Sequence, residues 1–215
     1  QNRIPRDGAV LVVSNHRSVM DAPVLMAALS RSIHFACHHY MGQVPVMRDI
    51  VDRLGCFPLE APDQRQHFFF KQATQLLQTQ QVVGVFPEGA EPMVQETIPC
   101  QVGAFHRGFA HLALRAPVKN LVVLPVAIAS TDEISNAFIP LRLFSLFDPS
   151  EPLFHRDDWH PMVWYRRVNV LIGRPQWISD SQRELYQGKQ AKSLVAELSQ
   201  QCSTEIDELL RQGCY

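Results

Sequence analysis

The chain has 215 residues, 20 Lys+Arg against 21 Asp+Glu for a net charge of −1, and 46% hydrophobic residues with 15 prolines and 10 glycines. This describes one globular domain, 1–215, with enough apolar content for a sizeable core, and it excludes disorder, collagen and coiled coil. The scattered basic residues form no stripe, so no nucleic-acid partner is expected. Apolar runs such as Ala9 to Val13 and Leu121 to Ala129 fall short of the roughly 18 to 20 residues that span a bilayer. Five cysteines, Cys37, Cys56, Cys100, Cys202 and Cys214, are odd in number and form no Cys-x-x-Cys pair, so they read as reduced thiols in a cytosolic setting. The chain opens on Gln1 without a basic-then-apolar signal segment, which fits a fragment whose N-terminal anchor lies outside it.

Ala9 to Ser14 is a continuous apolar, β-branched run of the kind buried on both faces of a parallel sheet. It ends in Asn15-His16-Arg17-Ser18, where Ser18 reads as the N-cap of a helix from Val19 to Leu29 with Asp21 in its first turn. A second strand is expected from Ile33 to His39, a helix from Pro45 to Leu54 stopped by Gly55, and a short strand from Cys56 to Leu59. Pro62 opens a glutamine-rich helix to Gln80, with Phe69, Ala73, Leu76 and Leu77 inward. Val82 to Phe86 is the next buried strand, ending at Pro87-Glu88-Gly89, and Phe105 to Arg115 is helical in pattern. Leu121 to Ala129 is a strand whose Pro125 predicts an edge or a bulge. Trp164 to Ile172 is the last strand, and Gln190 to Arg211 an amphipathic helix that reads as core packing. Strands alternating with helices predict an α/β fold with a mostly parallel central sheet flanked by helices.

Two constellations carry chemistry. The first is Asn15-His16 followed, five residues after the histidine, by Asp21. Five residues on an ideal helix turn through about 500°, which leaves the side chains roughly 140° apart. They therefore meet only if His16 sits in the turn and Asp21 in the first helical turn. A carboxylate on one imidazole nitrogen then fixes the tautomer and frees the other nitrogen as a base, a dyad that needs no serine or cysteine if the substrate brings its own hydroxyl. The second is Phe86-Pro87-Glu88-Gly89, a carboxylate at the C-terminal end of a strand, where α/β sheets open their binding crevice. Taken singly, each also reads as an ordinary surface turn.

Together, in this order and about seventy residues apart, the two resemble the glycerolipid acyltransferase family, the His-x4-Asp acyltransferases typified by 1-acylglycerol-3-phosphate acyltransferase. Weaker likenesses extend it: Phe35-Ala36-Cys37-His38, Gly55-Cys56-Phe57-Pro58-Leu59, Phe105-His106-Arg107-Gly108, Leu124-Pro125-Val126 and Ile172-Gly173-Arg174-Pro175. The resemblance implies transfer of a fatty acyl group from an acyl-CoA or acyl carrier protein thioester to a hydroxyl of a lysophospholipid or glycerol-phosphate-type acceptor. In it His16 is the general base, Asp21 orients and charge-compensates His16, and no acyl-enzyme forms. Asn15, Glu88, Gly89 and Arg107 would bind and position substrate. No cofactor beyond the thioester substrate and no metal is implied, and the expected location is the cytoplasmic face of a membrane. The chain departs from the family's pattern where Glu60-Ala61 and Ala90-Glu91 replace its usual arginines, which places negative charge where an acceptor phosphate would be held. A non-catalytic lipid-binding relative and a thioester hydrolase are the competing readings.

His34, Cys37, His38 and His39 crowd together, but strand alternation splits the last two and no second ligand pair has zinc-like spacing. Phe138 to Phe147 is rich in large apolar residues and reads either as core or as a membrane-lying or acyl-chain segment. Gly-x-Ser-x-Gly, the Walker loop, Gly-x-Gly-x-x-Gly and His-Glu-x-x-His do not occur in the sequence.

Overall fold

The computed structural model describes residues 4–214 apart from 6, 44, 61–63, 90–91, 93–96, 147–148 and 150–151. In chain order the elements are β1 (Val10–Ser14), α1 (Asp21–Leu29), β2 (His34–Cys37), α2 (His39–Gln43), α3 (Pro45–Arg53), β3 (Phe57–Pro58), α4 (Arg65–Gln78) and β4 (Val82–Val85). They continue with α5 (Gly108–Arg115), β5 (Val122–Pro140), α6 (Leu141–Phe144), a 3₁₀ turn (Pro152–His155), β6 (Trp159–Ile172), β7 (Gln176–Trp177), α7 (Asp180–Tyr186) and α8 (Ala191–Gly213). Among the described residues seven strands form one sheet in the order β3-β2-β4-β1-β5-β6, with β7 also on β5. The pairings among β1 to β5 are parallel, and β6 and β7 join β5 antiparallel. The fold is α/β with a mostly parallel sheet, as the alternation of patterns predicts.

Alternation along β1 builds a core on each face. Leu11 and Val13 join Ala73 and Leu77 of α4, Phe109 and Leu112 of α5 and Ile206 of α8. Val10 and Val12 point the other way, onto Leu25 and Leu29 of α1. Because α1 and α5 lie on opposite faces, the connection leaving β1 and the one leaving β4 run in opposite directions along the sheet. The crevice at such a reversal, at the C-terminal ends of β1 and β4, is where parallel sheets bind ligands.

Several expectations are corrected. β5 does not stop at Ala129 but runs to Pro140 and pairs with β6 from Val126↔Ile172 to Pro140↔Trp159. The two strands form an antiparallel ribbon that continues past the end of β1, whose last partner on β5 is Val126. Pro125 is not on an edge strand, since β5 lies between β1 and β6. It sits where the ladder changes partner from β7, at Val123↔Gln176, to β6, at Val126↔Ile172. Its carbonyl accepts from Gly173 N–H at 2.9 Å, and its missing donor falls in that gap. Ser18 is not the helix cap, for α1 begins at Asp21 after Met20. α7, absent from the pattern reading, starts with a reciprocal Ser179–Gln182 capping box.

The cysteines are not all reduced: Cys100 and Cys214 form a disulfide across 114 residues, leaving Cys37, Cys56 and Cys202 free. The bond ties the segment that follows the Glu88 turn to the end of α8. Spacing alone does not disclose such a pair, because proximity here is created by the fold.

Candidate active site

β1 and β4 are parallel neighbours, with Val13 opposite Val85. The segments that leave their C-terminal ends therefore emerge side by side, which is how His16 and Glu88, 72 residues apart, come to share a hydrogen bond. His16 lies in the turn and Asp21 is the first residue of α1. His16 Nδ1 donates to Asp21 Oδ2 at 2.8 Å, the histidine side chain 17% exposed and the aspartate 0%. The same oxygen accepts from the backbone N–H of Arg17 at 2.6 Å and of Ser18 at 2.9 Å. Asp21 thus caps the turn before its own helix, the reverse of a serine capping the helix. With Nδ1 held, the ring directs Nε2 away from the carboxylate.

The imidazole rests on Phe86, centroids 4.3 Å apart and planes at 14°, and Phe86 stacks in turn on Phe35 at 4.9 Å and 7°. Stacking fixes the ring plane, and an aromatic face attracts a cationic imidazolium. Phe35 lies opposite Gly84 of β4, and any Cβ at Gly84 would run into the Phe35 ring.

Glu88 is buried, and its Oε1 accepts from His16 N–H at 3.2 Å. Burial raises its carboxyl above the ordinary range, against the opposing hydrogen bonds from the backbone of His16 and Gly103. Gly103 admits this approach, since a Cβ there would lie 2.9 Å from Glu88 Oε2. Gly89 takes φ +73°, a left-handed conformation suited to glycine, and its open face meets the His106 ring. His106 N–H donates to Pro87 O at 2.8 Å, which brings the start of α5 to the Glu88 turn. Arg107, the residue before α5, is exposed there.

Asn15, beside the histidine, has its side chain held by the sheet. It is 3% exposed, its Nδ2 donates to Ile128 O at 3.0 Å, and its Oδ1 accepts from Ile128 N–H at 2.8 Å. Both ends of the amide thus continue the β1–β5 pairing one residue past the ladder. Of the departures from the family's pattern, Glu60 is exposed after β3, whereas Ala61, Ala90 and Glu91 lie outside the described residues. His34 and His39 each donate from Nδ1 to a carbonyl, that of Gly55 and that of Leu59.

Three neighbours escaped the sequence reading. Arg17 is buried, its guanidinium bonded to both carboxylate oxygens of Glu133 and to the carbonyl and hydroxyl of Thr97. Tyr165 on β6 donates its hydroxyl to Asp21 Oδ1 at 2.5 Å. His160, also on β6, is buried, and desolvation lowers its pKa. No local spacing links positions 133, 160 and 165 to a motif at 16–21, so only the fold discloses them.

Search of curated sequences gives no match. Among solved structures, the crystal structure of the 1-acyl-sn-glycerophosphate acyltransferase PlsC from Thermotoga maritima superposes with a TM-score of 0.58 at 20% identity. The alignment covers 97% of this chain and 69% of that one, a likeness of fold. The family model described as Acyltransferase matches residues 1–129, a span that holds both the His16–Asp21 turn and the Glu88 turn. By that match the chain belongs to the acyltransferase family.

Proposed function

We propose that the chain transfers a fatty acyl group from an acyl-CoA or acyl carrier protein thioester to a hydroxyl of a lysophospholipid or glycerol-phosphate-type acceptor. The observation that carries this reading is the His16 Nδ1 to Asp21 Oδ2 bond at the mouth of the β1–β4 crevice. Family membership supports acyl transfer, and the PlsC likeness, through what that protein acts on, supports a lipid acceptor.

The acceptor hydroxyl gives its proton to His16 Nε2 as its oxygen attacks the thioester carbonyl. The imidazolium that forms is compensated by Asp21 and faces the Phe86 ring. Collapse of the tetrahedral intermediate breaks the carbon–sulfur bond, and the imidazolium returns its proton to the departing thiolate. Glu88 holds the His16 backbone in place, and Glu88, Gly89 and Arg107 border the acceptor. General-base catalysis supplies about 10²- to 10⁴-fold, and orientation of the two substrates the larger remainder.

The site works at a membrane surface in this reading. No helix among the described residues is long and apolar enough to cross a membrane. The β5–β6 ribbon and the α6 region beside it instead expose Ile134, Leu143, Leu146, Trp159 and Trp164. Tryptophan with leucine is the composition that settles in the headgroup region of a bilayer.

The test is thiol release from acyl-CoA and acyl carrier protein donors, with and without mixed lysolipid acceptors in vesicles, for the wild type and His16→Ala. Acceptor-dependent release that disappears in the variant is the expected result. Release that is acceptor-independent and yields free fatty acid makes the protein a hydrolase, and release unaffected by His16→Ala overturns the base assignment.

A further inference from the structure

We infer that Tyr165 is a positioning residue for the reaction, holding Asp21 from outside the motif and setting how strongly that carboxylate retains the proton of His16. This rests on the reading of His16 as the general base.

An ionised carboxylate offers about four lone-pair directions. Asp21 Oδ2 is occupied by His16 Nδ1 and two backbone N–H groups of the same turn. Oδ1 receives the Tyr165 hydroxyl at 2.5 Å, from a residue 144 positions away. Without Tyr165 the carboxylate would be held through Oδ2 alone, and its plane would be fixed less firmly about the Cβ–Cγ bond.

The ribbon holds the turn at a second point. Tyr165 and Glu133 are cross-strand partners on β6 and β5, so their side chains leave the same face of the ribbon. Tyr165 bonds Asp21, and Glu133 bonds the guanidinium of Arg17, whose own N–H is on Asp21. One rung of the ribbon thus fixes both the carboxylate and the backbone that presents it.

The chemical consequence follows from the hydrogen bond. A hydroxyl that donates to a carboxylate draws negative charge toward itself, so less is available to stabilise an imidazolium on the other oxygen. Removing that hydroxyl makes Asp21 the stronger partner, and His16 keeps its proton to higher pH. The other ionisable groups facing the pair are Glu88 from the β4 turn, the Arg17–Glu133 ion pair beneath it and His160 from β6. Tyr165→Phe leaves all of them in place. The Tyr165 hydroxyl itself does not titrate in the working range, because burial and the adjacent Asp21 charge push its pKa up.

The experiment compares wild type, Tyr165→Phe and His16→Ala by pH–rate profile, and follows the His16 ring by NMR titration of ¹³C-histidine-labelled protein without substrate. In Tyr165→Phe the expected result is a kcat lower by about 10-fold, KM values for donor and acceptor unchanged, and the acid limb and His16 midpoint both higher by about one unit. A purely structural role would lower the folded fraction without moving either midpoint. Loss of turnover in His16→Ala with an unmoved His16 midpoint in Tyr165→Phe overturns the inference alone. Turnover that survives His16→Ala overturns the general-base reading and the catalytic meaning of Tyr165 with it.

Discussion

The turn from Asn15 to Asp21 and the ribbon formed by residues 130–140 and 159–168 both hold one hydrogen-bonded pair, His16 and Asp21. The turn is local: five residues separate His16 from Asp21, and backbone N–H groups of Arg17 and Ser18 complete the contact. The ribbon acts over more than a hundred residues, through Tyr165 on Asp21 and Glu133 on Arg17. The turn lies within the part of the chain that matches the family, whereas the ribbon lies beyond residue 129. In the proposed reaction the turn carries the reacting groups, and the ribbon limits their movement.

The sharpest separation of the two comes from His16→Ala. It removes the base while leaving every ribbon contact, so the rate of acyl transfer should fall by about 10²- to 10⁴-fold with the thermal midpoint nearly unchanged. A comparable loss of stability would mean that His16 is itself part of the scaffold. Glu133→Ala acts from the other side. It leaves the buried Arg17 guanidinium without its carboxylate, and truncating one partner of such a pair costs about 3–5 kcal/mol. Urea unfolding measures it, and a cost under about 1 kcal/mol would show that the ribbon does not clamp the turn.

Reduction of the Cys100–Cys214 bond tests whether a third constraint matters. It closes a loop across 114 residues, for which the usual contribution is about 2–4 kcal/mol. A urea midpoint lowered by a dithiol in wild type, but not in Cys100→Ser, is expected; equal midpoints would leave the bond without a stabilising role.

Glu88→Gln gives the smallest effect, and its sign is informative. The folded state raises the Glu88 pKa by burial, so it binds the proton more tightly than the unfolded chain does. Stability from Glu88 is therefore full below the unfolded value of about 4.3 and declines as pH rises through the folded value. Glutamine keeps one carbonyl oxygen that can accept from the His16 N–H, and it does not titrate. The stability of Glu88→Gln relative to wild type should grow from acid to neutral pH, even as activity falls; a gap that narrows with pH would contradict a raised carboxyl.

How far these regions could be read from the sequence follows their contact distances. The buried parallel strands are continuous apolar runs, and β1, β4 and α4 fall close to where those runs lie. His16 and Asp21 were legible because the chemistry and the spacing are both local. The apolar run that marks β5 ends at Ala129, so the sequence pattern places the end of the strand there. β5 continues through Ser130-Thr131-Asp132-Glu133 because an antiparallel ribbon can keep a solvated face. The two hydrogen bonds that tie the Asn15 amide to Ile128 have no local signature, and only the position of β5 discloses them. The cysteine pair was hidden for the same reason as Tyr165: neither partner has a local signature of the other.

Gly84 lies within β4, directly opposite both Val12 and Phe35, and belongs to neither motif. Its lack of a side chain is what lets Phe35 lie flat over the strand, Phe86 lie on Phe35, and His16 lie on Phe86. A methyl group at position 84 would be felt first as a tilt of Phe35 and only at the third ring as a misdirected Nε2. The sequence constraint on the His16 ring therefore reaches back into the floor of the sheet, where an alanine would look harmless by composition and yet turn the imidazole from the direction that the proposed reaction requires.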